Sequence, residues 1–164
     1  GETINLEDFR GQRVVLEWTN HQCPYVIKHY DTGNMQAAQK KVTEGGDVWL
    51  TIVSSAPGKQ GHTTPEEALA IEAEAGVAST ARVLDASGEI GQLYKAEVTP
   101  HMYVIDEEGV LVYQGAIDSD SSARHSTVEG ATNYVLAALD SLEAGEQPDP
   151  AVTQPYGCSV KYDY

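Results

Sequence analysis

The two cysteines of this chain are the residues best suited to covalent chemistry, and the first of them, Cys23, lies in a favourable setting. It follows the polar residues 20–22 and precedes Pro24, a residue that is common in the first turn of helices. A thiol at a helix N-terminus faces unpaired backbone N–H groups and the positive end of the helix dipole, and both lower its pKa. We therefore interpret Cys23 as a nucleophile. The alternative is an inert, buried cysteine, although such cysteines usually lie within apolar runs.

The second cysteine, Cys158, lies near the C-terminus, in a segment of different composition. From Ala144 onward the chain is rich in Gly, Pro, Asp and Gln, so we predict one domain over residues 1–143 and a tail over residues 144–164. The tail is expected to fold back to the start of the Cys23 helix. Cys158 would there resolve a sulfenic acid or a mixed disulfide on Cys23. A permanent structural disulfide and a spare exposed thiol remain alternatives.

Apolar periodicity predicts the elements that must position these cysteines. Strands are predicted at residues 13–19, 47–54, 82–84, 101–106 and 110–114, the last two joined as a hairpin. Helices are predicted at residues 23–31, 35–42, 64–75, 88–94 and 126–142. Capping boxes indicate the starts at Thr64 and Ser126. This order of elements predicts an α/β fold with a mixed sheet.

Composition and charge exclude several classes of protein. The 164 residues are 41% hydrophobic, which fits one globular domain. A formal net charge of −15 argues against a nucleic-acid partner and against docking on anionic lipid. No apolar run approaches the roughly 20 residues needed to cross a bilayer. The chain starts at Gly1 without a leader, so we expect a processed product. An extracytoplasmic compartment is favoured, with a cytoplasmic one left open.

Two segments resemble the signatures of thioredoxin-fold proteins. Residues 15–24 resemble the strand–Trp–loop–Cys-Pro segment, and residues 98–106 resemble the segment in which Thr-Pro precedes a strand. More closely, the chain resembles redoxins of the alkyl-hydroperoxide-reductase/thiol-specific-antioxidant type. It is most similar to a bacterial peroxiredoxin-like subgroup with Asn-His-x-Cys-Pro and a terminal Pro-Tyr-Gly-Cys-Ser-Val-Lys-Tyr. This resemblance implies a thioredoxin-like three-layer fold, a mixed central sheet with helices on both faces, which here lacks its first hairpin before Gly1.

The resemblance also implies roles for individual residues. Pro100 is expected to be cis and to lie beside the reactive sulfur. Glu17, six residues before Cys23, is expected to be a buried acid that moves protons, and a solvent-facing strand glutamate is the alternative. The expected substrate contacts come from residues that flank the nucleophile or lie in the Thr-Pro segment: Asn20, His21, Pro24, Thr99 and Pro100.

The sequence departs from the family patterns at several positions. Val26 replaces the second cysteine of Cys-x-x-Cys, which excludes exchange within one helix turn. The peroxiredoxin pattern Pro-x-x-x-Thr-x-x-Cys is also absent, because Leu16 and Asn20 stand at the Pro and Thr positions. No arginine precedes the Thr-Pro strand. These departures count against a peroxidase.

The sequence thus predicts a thiol-dependent oxidoreductase that performs thiol–disulfide exchange or peroxide reduction. Its expected partners are a small peroxide or a protein disulfide as substrate and an external thiol as reductant, and no organic cofactor is implied. One alternative is a copper-binding chaperone, because the soft ligands of His21, Cys23 and His101 suit copper. Such chaperones use Cys-x-x-x-Cys, however, and Ile27 stands at the second position. A redox-silent interaction module is the other alternative.

Overall fold

Seven strands form the β-structure of the computed structural model, which describes residues 2–164. They are β1 (Val14–Trp18), β2 (Val48–Val53), β3 (Ala81–Leu84), β4 (Val98–Thr99), β5 (His101–Ile105), β6 (Leu111–Gly115) and β7 (Cys158–Ser159). The main sheet has the order β3-β2-β1-β5-β6, with β1, β2 and β3 parallel and β5 antiparallel to both of its neighbours. β4 and β7 form a separate antiparallel pair.

Five α-helices connect and cover these strands in the described part of the chain. They are α1 (Pro24–Asp31), α2 (Asn34–Glu44), α3 (Pro65–Ala75), α4 (Glu89–Tyr94) and α5 (Tyr134–Glu143), and short 3-10 turns occur at Leu6–Phe9 and His125–Thr127. The predicted capping box of α3 is confirmed, because the Thr64 hydroxyl accepts from the Glu67 N–H and the Glu67 carboxylate accepts from the Thr64 N–H. The predicted mixed α/β architecture is confirmed.

The predicted start of the last helix at Ser126 is wrong. Residues His125–Thr127 form a 3-10 turn, and α5 begins only at Tyr134. Asn133 caps this helix, since its side chain accepts a hydrogen bond from the Leu136 N–H at 3.0 Å. A helix that started at Ser126 would enclose Gly130, which costs about 1 kcal/mol relative to alanine. A well-placed Asn cap beyond this glycine is the more stable start.

Two apolar clusters cover opposite faces of the main sheet. Val15 and Met102 belong to the first cluster, whereas Leu16 and Tyr103 belong to the second, and successive strand residues point to opposite faces. α2 and α5 contribute to the first cluster, and Tyr94 of α4 packs against the second. Every residue of β1 and β2 is buried, as expected of central strands covered on both sides. The three-layer arrangement predicted from the sequence is therefore confirmed.

The C-terminal segment 144–164 packs against the rest of the chain. Residues 151–153 run beside β6, with the Gln114 N–H donating to the Ala151 carbonyl and the Thr153 N–H to the Gln114 carbonyl. Further on, β7 pairs with β4, and Val160 and Tyr162 are buried in the second apolar cluster. The segment therefore contributes to the core. The boundary between a 1–143 domain and a 144–164 tail stays a prediction.

No helix among residues 2–164 is both long and apolar enough to cross a membrane. The expectations about the start of the chain, a processed Gly1 and a missing first hairpin, lie outside the described residues.

Candidate active site

The polar turn between β1 and α1 places Cys23 immediately before Pro24, the first residue of the helix. Cys23 is the N-cap of α1 with extended backbone, and its carbonyl accepts from the Val26 and Ile27 N–H groups. Asn20 stabilises the turn through two hydrogen bonds. Its carbonyl accepts from the Cys23 N–H at 3.0 Å, and its side chain accepts from the Gln22 N–H at 3.0 Å. The helix start predicted at Cys23 and Pro24 is confirmed.

The Cys23 thiol is fully buried and lies against β4 and β7. Its Sγ donates to the Thr99 carbonyl at 3.4 Å. Burial alone would raise the thiol pKa, but contacts with the Cys158 thiol, the Thr99 side chain and the Val26 N–H outweigh it. The pKa of Cys23 therefore lies below the ordinary value, as expected for a thiol that receives hydrogen bonds at a helix N-terminus.

Cys158 reaches this site through β7, where it is paired with Thr99, the residue whose carbonyl accepts from the Cys23 thiol. Both cysteines are free. Burial, followed by the contact with the Cys23 thiol, raises the pKa of Cys158 to about 11. The pair is thus polarised, with the negative charge favoured on Cys23 and the proton favoured on Cys158.

The approach of the tail to Thr99 depends on Gly157. The Thr99–Pro100 peptide bond is cis, which confirms the expectation for Pro100. Gly157 has a φ of 148°, and a Cβ added there would overlap the Thr99 carbonyl oxygen. Only glycine therefore lets the backbone before Cys158 come this close to the Thr99–Pro100 peptide.

Among the described residues, no hydrogen bond joins the side chain of Asn20 or His21 to either thiol. Asn20 is buried and its amide donates to the Gln60 side chain at 3.1 Å, so it braces the turn. His21 lines a separate cavity of about 370 Å³ between α1 and α3. Burial and the charge of Arg82 lower the pKa of His21. Pro24 is exposed next to Cys23. The substrate contacts expected of Asn20, His21, Pro24, Thr99 and Pro100 stay predictions.

Glu17 is fully buried, which excludes the solvent-facing alternative. Its carboxylate accepts from the Tyr30 hydroxyl at 2.7 Å, the Trp49 indole at 2.9 Å and the Gln39 amide at 3.1 Å. Burial raises the pKa of Glu17, while the hydrogen bonds from Tyr30 and Trp49 act in the opposite direction. No hydrogen bond joins Glu17 to either cysteine among the described residues, so its role in proton transfer stays a prediction.

The hydrogen-bond partners of Glu17 were not predicted from the sequence, although strand alternation could have indicated Trp49. In the parallel pair β1 and β2, alternate residues share one face, and Glu17 is in register with Thr51. Trp49, two residues earlier, must therefore lie on the face of Glu17. Tyr30 and Gln39 come from helices whose rotation the sequence pattern does not specify.

The alternative copper ligands are not assembled. Among residues 2–164, no three His, Cys, Asp or Glu side chains are grouped as metal ligands. His101 is buried and stacks on Tyr103 with ring centroids 4.7 Å apart, and its Nδ1 accepts from the Glu97 N–H at 3.2 Å. Burial lowers the pKa of His101 to about 4, so the ring is neutral at pH 7.

Comparison with known proteins identifies the family. A family model described as Redoxin matches residues 1–132. The chain belongs to the redoxin family. A comparison of this redoxin with curated proteins finds no match.

Solved structures similar to this redoxin support the same fold. A hypothetical protein of Sinorhizobium meliloti is 22% identical, with a TM-score of 0.84 over 99% of this chain and 87% of that chain. An uncharacterized conserved protein of Geobacillus kaustophilus is 25% identical, with a TM-score of 0.82 over 99% of this chain and 84% of that chain. The exposed lipoprotein thioredoxin of Streptococcus pneumoniae is 26% identical, with a TM-score of 0.51 over 70% of this chain and 81% of that chain. The predicted thioredoxin-like fold is confirmed.

Proposed function

We propose that this redoxin is a thiol–disulfide oxidoreductase in which Cys23 is the nucleophile and Cys158 is the resolving cysteine. Redoxin family membership and similarity to a pneumococcal thioredoxin support thiol redox chemistry in general. The observation that carries the specific proposal is geometric: Thr99, whose carbonyl accepts from the Cys23 thiol, is paired with Cys158 across β4 and β7. The opposite directions of the two pKa shifts support it.

The reaction follows from this polarised pair. The Cys23 thiolate attacks one sulfur of a substrate disulfide, a new S–S bond forms, and the other substrate sulfur leaves as a thiolate that takes a proton. Cys158 then loses its proton and attacks the Cys23 sulfur, which releases the second substrate thiol and leaves a Cys23–Cys158 disulfide. Two external thiol groups supply the two electrons and two protons that restore both cysteines, and they leave as a disulfide.

Disulfide exchange is favoured over peroxide reduction by the surroundings of the Cys23 thiol. A peroxidase needs donors that polarise the peroxide oxygens in the transition state. The Thr99 carbonyl, which accepts from the Cys23 thiol at 3.4 Å, is an acceptor and cannot polarise a peroxide. The Asn20 amide, which stands in place of the peroxiredoxin threonine, is held by Gln60. The peroxiredoxin-like activity therefore ranks second.

Turnover of the wild type, Cys23→Ser and Cys158→Ser tests this proposal. With a protein disulfide as substrate and an external thiol as reductant, Cys23→Ser is expected to lose all activity. Cys158→Ser is expected to accumulate a mixed disulfide on Cys23 and to turn over at least about tenfold more slowly, because resolution becomes intermolecular. Equal rates for all three proteins would contradict the proposal, and a parallel assay with hydrogen peroxide ranks the two substrates.

A further inference from the structure

A buried polar cluster lies on the side of α1 that faces the C-terminal segment. Lys28 and His29 of α1 are both fully buried, and Tyr156 and Asp118 lie against them. A buried lysine is rare in proteins unless its charge is paired. The cluster is not part of the thiol chemistry described above, but Tyr156 precedes Cys158 by only two residues.

A chain of hydrogen bonds runs through the cluster, and each group donates to the next, from Asn34 to Asp118. The Asn34 amide donates to Nδ1 of His29 at 2.9 Å, so the ring proton lies on Nε2. Nε2 of His29 then donates to the Tyr156 hydroxyl at 3.0 Å, and this hydroxyl donates to the Asp118 carboxylate. Burial and the charge of Lys28 lower the pKa of His29 to about 4, so the ring stays neutral at pH 7. The Tyr156 hydroxyl is thus the link between a neutral histidine and a carboxylate.

Lys28 carries the positive charge of this cluster, and its ammonium lies 3.7 Å from the Asp120 carboxylate. Its ammonium donates to the carbonyls of Asp120 and Ser122 at 2.9 and 2.7 Å, and it lies 5.3 Å from the centroid of the Tyr156 ring. Asp118 is buried, and among the described residues its Oδ2 atom has no hydrogen-bond partner. Its Oδ1 atom accepts from the Tyr156 hydroxyl and from the Asp120 N–H, so Tyr156 supplies the one side-chain hydrogen bond to this carboxylate among the described residues.

A second anchor holds the segment on the other side of Cys158. The Tyr162 ring packs against Gly88 and Gly91, where any side chain would collide with it, and its hydroxyl donates to the Ala96 carbonyl at 2.7 Å. Cys158 thus lies between two residues that attach the segment to the rest of the chain: Tyr156, through hydrogen bonds, and Tyr162, mainly through apolar packing. Because Gly157 has no side chain, Tyr156 is the nearest side chain before Cys158 that attaches the segment to α1.

We propose that Tyr156 is a positioning residue that holds the Cys158 thiol against Cys23 through its hydrogen bonds to His29 and Asp118. This inference rests on the proposed function, in which Cys158 attacks the Cys23 sulfur. Without the hydroxyl, the His29 Nε2–H loses its hydrogen-bond partner and the Asp118 carboxylate keeps only the Asp120 N–H, which favours release of the segment. Release lowers the effective concentration of one thiol at the other.

The test is the equilibrium of the protein with glutathione, in which one glutathione disulfide oxidises the two protein thiols and yields one Cys23–Cys158 disulfide and two glutathione thiols. Tyr156→Phe is expected to lower this equilibrium constant about tenfold. Asp118→Asn is expected to act in the same direction, and the double variant is expected to lose no more than the worse single variant.

The matched control is Tyr103→Phe. It removes a buried tyrosine hydroxyl that donates to the Tyr94 carbonyl at 2.9 Å and that makes no hydrogen bond to the C-terminal segment among the described residues. This variant is expected to lose comparable thermal stability and to keep the wild-type glutathione equilibrium. An equilibrium constant that falls equally in Tyr103→Phe and Tyr156→Phe, or in neither, would overturn the positioning role.

A separate measurement distinguishes this inference from the proposed function. If the wild type forms no Cys23–Cys158 disulfide, the proposed function fails. Alkylation of the reduced proteins by iodoacetamide then tests Tyr156 alone. A faster reaction of Cys158 in Tyr156→Phe than in the wild type and Tyr103→Phe supports positioning, and equal rates overturn it. If Tyr156→Phe does not fold, as judged by circular dichroism, the same comparison is made with Asp118→Asn.

Discussion

At the scale of single residues, the thiol pair is the feature that gives this redoxin its chemistry. Cys23 lies at a helix N-terminus, and Cys158 is paired with Thr99, whose carbonyl accepts from the Cys23 thiol. The sequence predicts the first placement because a Cys-Pro step after a strand is a local pattern. It predicts only the possibility of the second, since 134 residues separate 158 from 23. Pairing between β4 and β7 is a tertiary contact that no local pattern specifies.

The polar residues that surround the site were less predictable. Glu17 stands inside an apolar strand, and its burial is confirmed. Lys28 and His29 also belong to a predicted helix, but Lys28 is paired with Asp120 and His29 with Asp118 and Tyr156, all of which are distant in the sequence. A charged residue on a helix is usually solvated, so periodicity gives no sign of this cluster.

Substitution of Glu17 tests the consequence of burying its carboxyl group. Because burial raises its pKa, the folded state holds this proton more tightly than the unfolded state does. Wild-type stability is therefore expected to fall as pH rises from about 4.3, the ordinary pKa of glutamate, to the raised pKa. The slope is at most about 1.4 kcal/mol per pH unit. Glu17→Gln is expected to lack this decline.

Denaturant unfolding of both proteins across this pH range measures the effect. The stability of Glu17→Gln relative to the wild type should increase as pH rises through the window. Parallel stability curves for the two proteins would show that Glu17 titrates equally in the folded and unfolded states.

At the scale of elements, the contrast between α3 and α5 shows what a capping motif specifies. Both predicted starts have a Ser or Thr followed three residues later by Glu. Thr64 is also followed by Pro65 and by a run without glycine, and the capping box forms there. After Ser126 comes Gly130, and the helix starts at Tyr134 instead. The motif therefore indicates a start only where the following residues favour a helix.

Substitution of Gly157 tests how the β4–β7 pair holds Cys158. Gly157→Ala places a Cβ against the Thr99 carbonyl, so the backbone before Cys158 must move away. We expect a loss of about 1–3 kcal/mol in the free energy of unfolding and at least about tenfold faster alkylation of Cys158.

Gly145→Ala is the matched control for Gly157→Ala. Gly145 also has a positive φ, 77°, but no atom lies within 4 Å of an added Cβ. This variant is expected to show only the strain of a left-handed residue, about 1–2 kcal/mol, with unchanged alkylation of Cys158. Similar alkylation rates in both variants would argue against close packing at Gly157.

At the scale of the whole molecule, the C-terminal segment joins the two faces of the sheet at the active site. Tyr156 packs against the first apolar cluster, whereas Val160 and Tyr162 are buried in the second. The sequence predicts a loop-like tail here, because the segment has neither helical nor strand periodicity. The residues that attach it to the core are isolated aromatic and apolar residues, which no pattern identifies. Sequence pattern therefore identifies the sheet and its helices and leaves the path of this segment unspecified.

The central claim, a polarised pair of thiols, is tested most directly by the pH dependence of alkylation at each cysteine. Reduced protein is treated briefly with iodoacetamide between pH 5 and 11, and the modification of Cys23 and Cys158 is measured separately by mass spectrometry. We expect Cys23 to titrate below the ordinary cysteine pKa of about 8.5 and Cys158 well above it. In Cys158→Ser, the Cys23 pKa should rise, because the contact with the Cys158 thiol is lost. Titration of both cysteines together near pH 8.5 in the wild type would contradict the account.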